Sequence, residues 1–166
     1  MVEYTTFNRT IPVQLWGDPP IKEYNMNSKD KGNIGEALVL AEFIKRNIQV
    51  CIPFGDNARY DLVADFNGKL QKIQVKYCGQ QIINGSISCP CSSSTNHTTN
   101  KHLTTYENDI DYFCFYIEQW NKILLVPIEK IGTKKTICFR IDKPKNNQSN
   151  VNLIEDYTFD KILNNS

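Results

Sequence analysis

Apolar residues return along this chain at two different spacings, and the places where the spacing changes divide it into elements. Over residues 28–47, SKDKGNIGEALVLAEFIKRN, they recur every three to four positions, the period of an amphipathic helix. Ser28 or Asp30 is available to cap its start, and Lys45 and Arg46 suit the negative end of the helix dipole. At about 100° per residue, Val39, Phe43, Leu40, Ile44 and Ala37 form one arc, with Glu42, Lys45 and Arg46 outside it. Glu36 falls in the middle of that apolar arc.

Beyond the helix the period shortens. IQVCIPF reads as a short buried strand, and residues 59–66 and 69–77 as two strands around Asn67 and Gly68, the pair favoured in a two-residue type I′ turn. GSISCPC reads as another strand, SSSTNHTTN as a polar loop, and residues 101–109 as a short helix or turn. IDYFCFYIE and NKILLVPIE form a second hairpin, apolar enough to belong in the middle of a sheet. Residues 139–157 are polar and irregular. Residues 1–28 carry prolines and scattered aromatics without a period, so they read as an extended arm; neither this arm nor the tail after Arg140 has an evident place in the predicted core. With 166 residues the chain closes one α/β domain without disulfide or metal staples.

Composition narrows the function classes. The net charge of +1 is not that of a strongly basic nucleic-acid binder, so such a role rests on a local patch. No apolar run reaches the roughly 18 residues of a membrane span, and the first residues lack the basic head and apolar body of a signal peptide. A soluble intracellular protein without a membrane partner is expected. The six cysteines include no CxxC pair, which favours free thiols in a reducing compartment. Cys89, Cys91, His97 and His102 permit a zinc site on paper. The single residue between the two cysteines is, however, fewer than the two to four usual in structural zinc pairs.

The first hairpin holds the informative chemistry. Counting outward from Asn67 and Gly68 sets Phe66 against Lys69 and Asp61 against Gln74, cross-strand neighbours roughly 5 Å apart at Cβ. Lys76 lies one pleat further on the same face, while Leu62, Ala64, Ile73 and Val75 supply the core from the other. Alone, such a trio is equally an Asp61–Lys76 pair on a solvated sheet. Glu36 shifts the balance, because a core-facing carboxylate costs several kcal/mol unless a cation or donors meet it. Two acids, an amide oxygen and a lysine suit a hard divalent cation with an attendant water, the lysine positioning or deprotonating that water and offsetting charge on a phosphate.

An acid on a first helix, an Asp at one strand and QxK on the next is the pattern of the PD-(D/E)XK nucleases. KGNIGEALVLAEFIKR, IPFGDNARYDLVAD, GKLQKIQVK, SSST, IDYFCFYI, LLVPIE and FRIDKPKNNQ together resemble the group I intron-associated, homing-type branch of that superfamily, over about residues 29–157. The resemblance implies a restriction-endonuclease-like α/β core, a mixed central β-sheet flanked by helices. It sets a nuclease domain at 29–157 between the arm at 1–28, of unknown role, and a C-terminal tail at 158–166. Its active-site residues map onto Glu36, Asp61, Gln74 and Lys76, with Glu36, Asp61, Gln74 and the Val75 position around the metal. Gln74 replaces the superfamily's usual acid but agrees with this branch, and Tyr60 stands where the "PD" proline is absent.

The implied activity is hydrolysis of double-stranded DNA with Mg²⁺, Mn²⁺ substituting, by a homodimer or homotetramer. The branch is similar in fold to archaeal Holliday-junction resolvases, so a junction resolvase, a repair nuclease or a non-catalytic DNA-binding protein stays open. Intact Glu36, Asp61, Gln74 and Lys76 favour the enzyme. For DNA contact the candidates are Arg59, Lys101, Lys122, Lys134, Lys135 and Arg140, which suit phosphates, and the SSSTNHTTNKH loop with Ser92, Ser93, Ser94 and Thr95.

Overall fold

The computed structural model describes residues 26–55, 57–97, 100–144 and 150–164, with backbone alone for 94–97 and 100–103. The helix α1 spans Ser28–Lys45. Its cap is Asn27, one residue before Ser28 and three before Asp30, the two predicted caps: Asn27 Oδ1 accepts from the backbone N–H groups of Lys29 (2.9 Å) and Asp30 (3.0 Å). An Asn at this place satisfies donors that the first helical turn leaves open. Most of the predicted arm, residues 1–25, lies outside the described residues.

Five strands form the main sheet, in the order β1-β2-β3-β7-β8. They are β1 (Val50–Cys51), β2 (Leu62–Phe66), β3 (Lys69–Cys78), β7 (Tyr112–Ile117) and β8 (Lys122–Pro127). The β2–β3 turn is the predicted one, with Asn67 at φ 56° and Gly68 at φ 87°, as a type I′ turn requires. The register follows, pairing Phe66 with Lys69 and Leu62 with Ile73. β3 then runs parallel to β7, and β7 antiparallel to β8. β7 is interior as expected. β8 is an edge strand instead, although Leu124, Leu125 and Val126 are buried because both faces of the sheet are covered.

A second sheet, β10-β9-β4, is built from β4 (Ser86–Pro90), β9 (Thr136–Arg140) and β10 (Asn152–Leu153). Residues 139–157, expected to be irregular, therefore contain a strand end and a parallel pairing. Alternation supplies the signal at β9, where Ile137 and Phe139 are buried between exposed neighbours. The expected polar loop 92–100 and the helix or turn at 101–109 are in fact largely one antiparallel ribbon, β5 (Ser93–His97) with β6 (Asn100–Thr104). Its register sets Ser93 against Thr104 and Thr95 against His102.

Two apolar layers hold the main sheet. On one face Val39 and Phe43 of α1 pack with Leu62, Ala64, Ile73 and Val75, joined by Phe159. On the other, Phe113, Phe115 and Val126 pack with Ile87, Ile137 and Phe139 of the second sheet and with Ile128 and Ile131 of the short helix α2 (Ile128–Ile131). Residues after 157, set apart in the sequence as a tail, hold α3 (Phe159–Leu163), whose Phe159 ring meets Phe43 edge-on at 5.2 Å.

Two expectations about apolar positions fail. The buried stripe of α1 is Gly35, Val39 and Phe43, and Ala37 and Ile44 are exposed, so the helix is apolar nearly all round and its buried side turns toward the short residue. Gly35 faces Val75 and Tyr77, which brings α1 close over β3 and leaves Glu36 half-buried at the edge of the contact. The strand IQVCIPF shrinks to two edge residues, and Ile52 (67% exposed) and Phe54 (fully exposed) lie outside the core. Pro53 cannot donate to a ladder there.

Gly68 has open space around its Cα, so the cost of a side chain there is conformational alone. Gly68→Ala is expected to destabilise the fold by about 1–2 kcal/mol, the penalty of the left-handed region, read as a lower urea midpoint at unchanged slope.

Candidate active site

Because β2 begins at Leu62 while β3 runs on to Cys78, the last residues of β3 have no strand beside them on that side. Asp61 stands at this step. Its N–H donates to the Ile73 carbonyl (2.9 Å), completing the ladder. Its Oδ2 accepts from the Val75 N–H (2.7 Å) and from Gln74 Nε2. The predicted register stops at Leu62 and Ile73, one pair short of Asp61 and Gln74, whose side chains nevertheless meet in a hydrogen bond. Gln74 Nε2 also donates to the Val75 carbonyl (3.2 Å), which faces the open side of β3.

Around this edge lies a cavity of about 510 Å³ lined by Glu36, Asp61, Gln74, Val75 and Lys76, with Lys31 and Tyr77 at its rim. Glu36 reaches it from the α1 face, and Lys76 from the face of the second sheet. A larger cavity of about 610 Å³ beneath the β2–β3 turn is lined by Asp65, Lys69, Gln71 and Asp160 as well, but there Asp160 is paired with Arg46 and Asp65 accepts from the Gly68 N–H of the turn.

The electrostatics of the cluster are those of acids short of positive charge. Burial raises the Glu36 carboxyl above its ordinary range, and the nearby Asp61 charge raises it further. Burial raises Asp61 as well, outweighing the Val75 N–H, the Lys76 charge and the Gln74 amide, all of which favour its ionised form. Oxygen donors of this kind, two carboxylates with a free-facing carbonyl and an amide, fit a hard divalent cation, whose charge would relieve both acids. Among the described residues no group of three or more His, Cys, Asp or Glu side chains is arranged to hold a metal ion; the cleft has two acids, with Gln74 and a backbone oxygen beside them.

Tyr77, on the rim, is pushed up to about 12 by burial and by its hydrogen bond to Glu118, so it stays a neutral phenol. Sequence reasoning missed Tyr106. Its hydroxyl accepts from Lys76 Nζ (3.2 Å), and Lys76 Nζ lies 5.0 Å from its ring centre. Tyr106 follows β6 in a turn without period, and no local pattern announces a contact 30 residues from Lys76.

The DNA-contact candidates are scattered. Arg59 is engaged internally: Nε meets Asp109 (3.0 Å), one terminal nitrogen donates to Ser93 Oγ (2.9 Å) and the other to the Thr105 carbonyl (2.7 Å). That leaves Arg59 bracing the root of the β5–β6 ribbon rather than free for a phosphate. Ser92 is half-buried just before the ribbon, and Ser94, Thr95 and Lys101 lie on it, their side chains outside the described residues. Lys122 sits exposed on β8, outside the cleft, and Lys134 and Lys135 are exposed beyond α2. Arg140 ends β9 with Nε buried and unpartnered, also outside the cleft.

Of the four residues that permit a zinc site on paper, Cys89 and Cys91 are buried; a hydrogen bond to Cys78 and burial raise Cys89, and burial first, then Cys89, pushes Cys91 up to about 12. The His97 and His102 side chains lie outside the described residues. Among the described residues no helix is long and apolar enough to cross a membrane.

At the open edge of β3, two acids, a glutamine and a lysine thus lie around one cavity of an α/β sheet. A family profile described as PD-(D/E)XK endonuclease matches residues 26–160, and the chain belongs to that family. The fold is similar to the solved structure of a bacterial homing endonuclease, I-Ssp6803I, with a TM-score of 0.68 at 23% identity, covering 84% of this chain and 95% of that one. No curated protein matches the sequence.

Both raised carboxyls hold protons more tightly in the folded chain than in the unfolded one. Stability of the metal-free protein should therefore fall as pH rises through the window above their ordinary values of 3.8 and 4.5. Glu36→Gln removes one such charge. In EDTA at neutral pH it is expected to melt roughly 2–4 °C above wild type, and added Mg²⁺ should stabilise wild type more than the variant. A variant clearly less stable than wild type in EDTA would refute the buried-charge account.

Proposed function

We propose that this protein is a divalent-metal-dependent endonuclease that hydrolyses phosphodiester bonds in double-stranded DNA, of the site-specific homing type. The observation that carries the reading is the meeting of Glu36, Asp61, Gln74 and Lys76 around the open edge of β3 in a PD-(D/E)XK endonuclease chain. The likeness in fold to a bacterial homing endonuclease supports the homing assignment.

Asp61, Glu36, the Val75 carbonyl and Gln74 are the residues that would hold Mg²⁺, or Mn²⁺ in its place. The ion supplies Lewis acidity to the phosphate and a more acidic water. Gln74 now presents Nε2 to Asp61, so serving as a ligand through its oxygen requires the amide to turn over. Asp61 is held in place by the Val75 N–H whichever way that amide points. Lys76 Nζ, across the strand from Glu36, orients or deprotonates the attacking water and offsets charge that develops on the phosphate.

DNA contact falls to the β5–β6 ribbon. Arg59 roots it at Ser93 and Thr105, beside the Tyr106 that meets Lys76, and a two-stranded ribbon is of a size that the major groove admits. Ser94, Thr95 and Lys101 are the contact residues in this reading. Cutting both strands in one encounter needs two clefts related by a two-fold axis, so a homodimer is the minimum assembly and a homotetramer is compatible. Near-neutral net charge supports shared phosphate contacts among protomers.

Digestion of a randomised duplex library with Mg²⁺ tests the activity and yields the cut site. On that site Asp61→Asn or Lys76→Ala should abolish cleavage while leaving DNA binding within a few-fold, because both act at the scissile phosphate. Equal cleavage by wild type and Asp61→Asn would sink the assignment. Light scattering without DNA should give at least twice the chain mass of 19.1 kDa; a monomer both alone and on a short duplex refutes the assembly.

A further inference from the structure

We infer that Tyr106 is a positioning residue for Lys76, its phenol oxygen anchoring the lysine so that the remaining Nζ donors face the cleft. The inference rests on the nuclease reading of that cleft. Lys76 projects from β3 on the side of the second sheet, and a lysine stem with three rotatable donors does not hold one direction by itself. Here one of those donors is committed: Nζ donates to Tyr106 Oη at 3.2 Å and lies over the same ring, 5.0 Å from its centre.

Tyr106 is fixed enough to serve as an anchor. It is 5% exposed, and its ring meets Phe113 edge-on, with centres 5.4 Å apart and planes at 83°. Phe113 is the β7 partner of Gln74 in the parallel register and stacks in turn on Phe115 at 5.3 Å. The Arg59 guanidinium lies 4.3 Å from the Tyr106 ring centre and is itself tied to Asp109, Ser93 and the Thr105 carbonyl. The chain from ribbon root to Lys76 is thus continuous: Arg59 holds the turn, the turn holds the ring, and the ring's hydroxyl holds the lysine. A preorganised group loses rate, not affinity, when its support is removed.

Tyr106→Phe deletes the hydroxyl and keeps the ring. On a supercoiled plasmid carrying a site selected by the wild-type protein, its kcat should fall about tenfold while KM stays within about twofold and the melting temperature is unchanged. Asp61→Asn is assayed alongside. If Asp61→Asn is inactive and Tyr106→Phe cuts at the wild-type rate, or if KM and melting temperature move together with kcat, the positioning role is overturned. If Asp61→Asn itself cuts like wild type, the nuclease reading of the cleft fails instead, and a second measurement still decides the contact. In the protein without DNA, a ¹⁵Nζ–¹H signal assigned to Lys76 by its loss in Lys76→Arg should be observed in wild type and vanish in Tyr106→Phe. Its absence from wild type, or its persistence in Tyr106→Phe, overturns the anchor.

Discussion

Where β2 ends, β3 keeps going, and the Val75 N–H, which has no β2 carbonyl to meet, donates to the Asp61 carboxylate at 2.7 Å. A hydrogen bond to an ionised acceptor contributes about 1.5–3 kcal/mol, and without it Val75 would leave a half-buried donor open. The same bond pins a carboxylate beside a strand edge whose carbonyl faces outward. The other members of the cleft stand around this step: Gln74 just past the last β2–β3 pair, bonded to Asp61 by its side chain, Lys76 one pleat on, and Glu36 from a helix seated over Val75 through Gly35.

The two apolar layers keep that edge rigid and let opposite faces of one sheet contribute to one site. Val39 and Phe43 clamp α1 to the face that delivers Glu36, while the aromatic stack of Phe113, Phe115 and Phe139 backs the face that delivers Lys76. Packing so close to two acids raises both carboxyls: burial outweighs the hydrogen bonds and Lys76 at Asp61, and at Glu36 the Asp61 charge adds to it. The cleft is accordingly a place where the fold gives up stability.

Charge outside the cleft does different work from what its residue types suggest. Arg59 has the donors of a phosphate ligand, yet all of its directions are used within the chain, and its effect is to join the β5–β6 ribbon to the turn carrying Tyr106. With a net charge of +1 the molecule has little long-range pull on a polyanion.

What the sequence by itself determined is what short-range geometry controls. Asn67 and Gly68 admit positive φ, which sets the turn; the turn sets the register; and the register brings Asp61 beside Gln74 with Lys76 one pleat beyond. Alternation likewise told the core face of that hairpin from its polar face. Tertiary structure decided the rest. The buried side of α1 was ambiguous because apolar residues surround it, and only its seat on β3 chose Gly35 over Ala37 and Ile44. The β9–β10 pairing exists because a neighbouring strand satisfies it, and the two strands of the β5–β6 ribbon satisfy each other. Tyr106 meets Lys76 across 30 residues, and Arg59 meets Asp109 across 50. Contacts of that span arise when layers stack, and no local spacing encodes them.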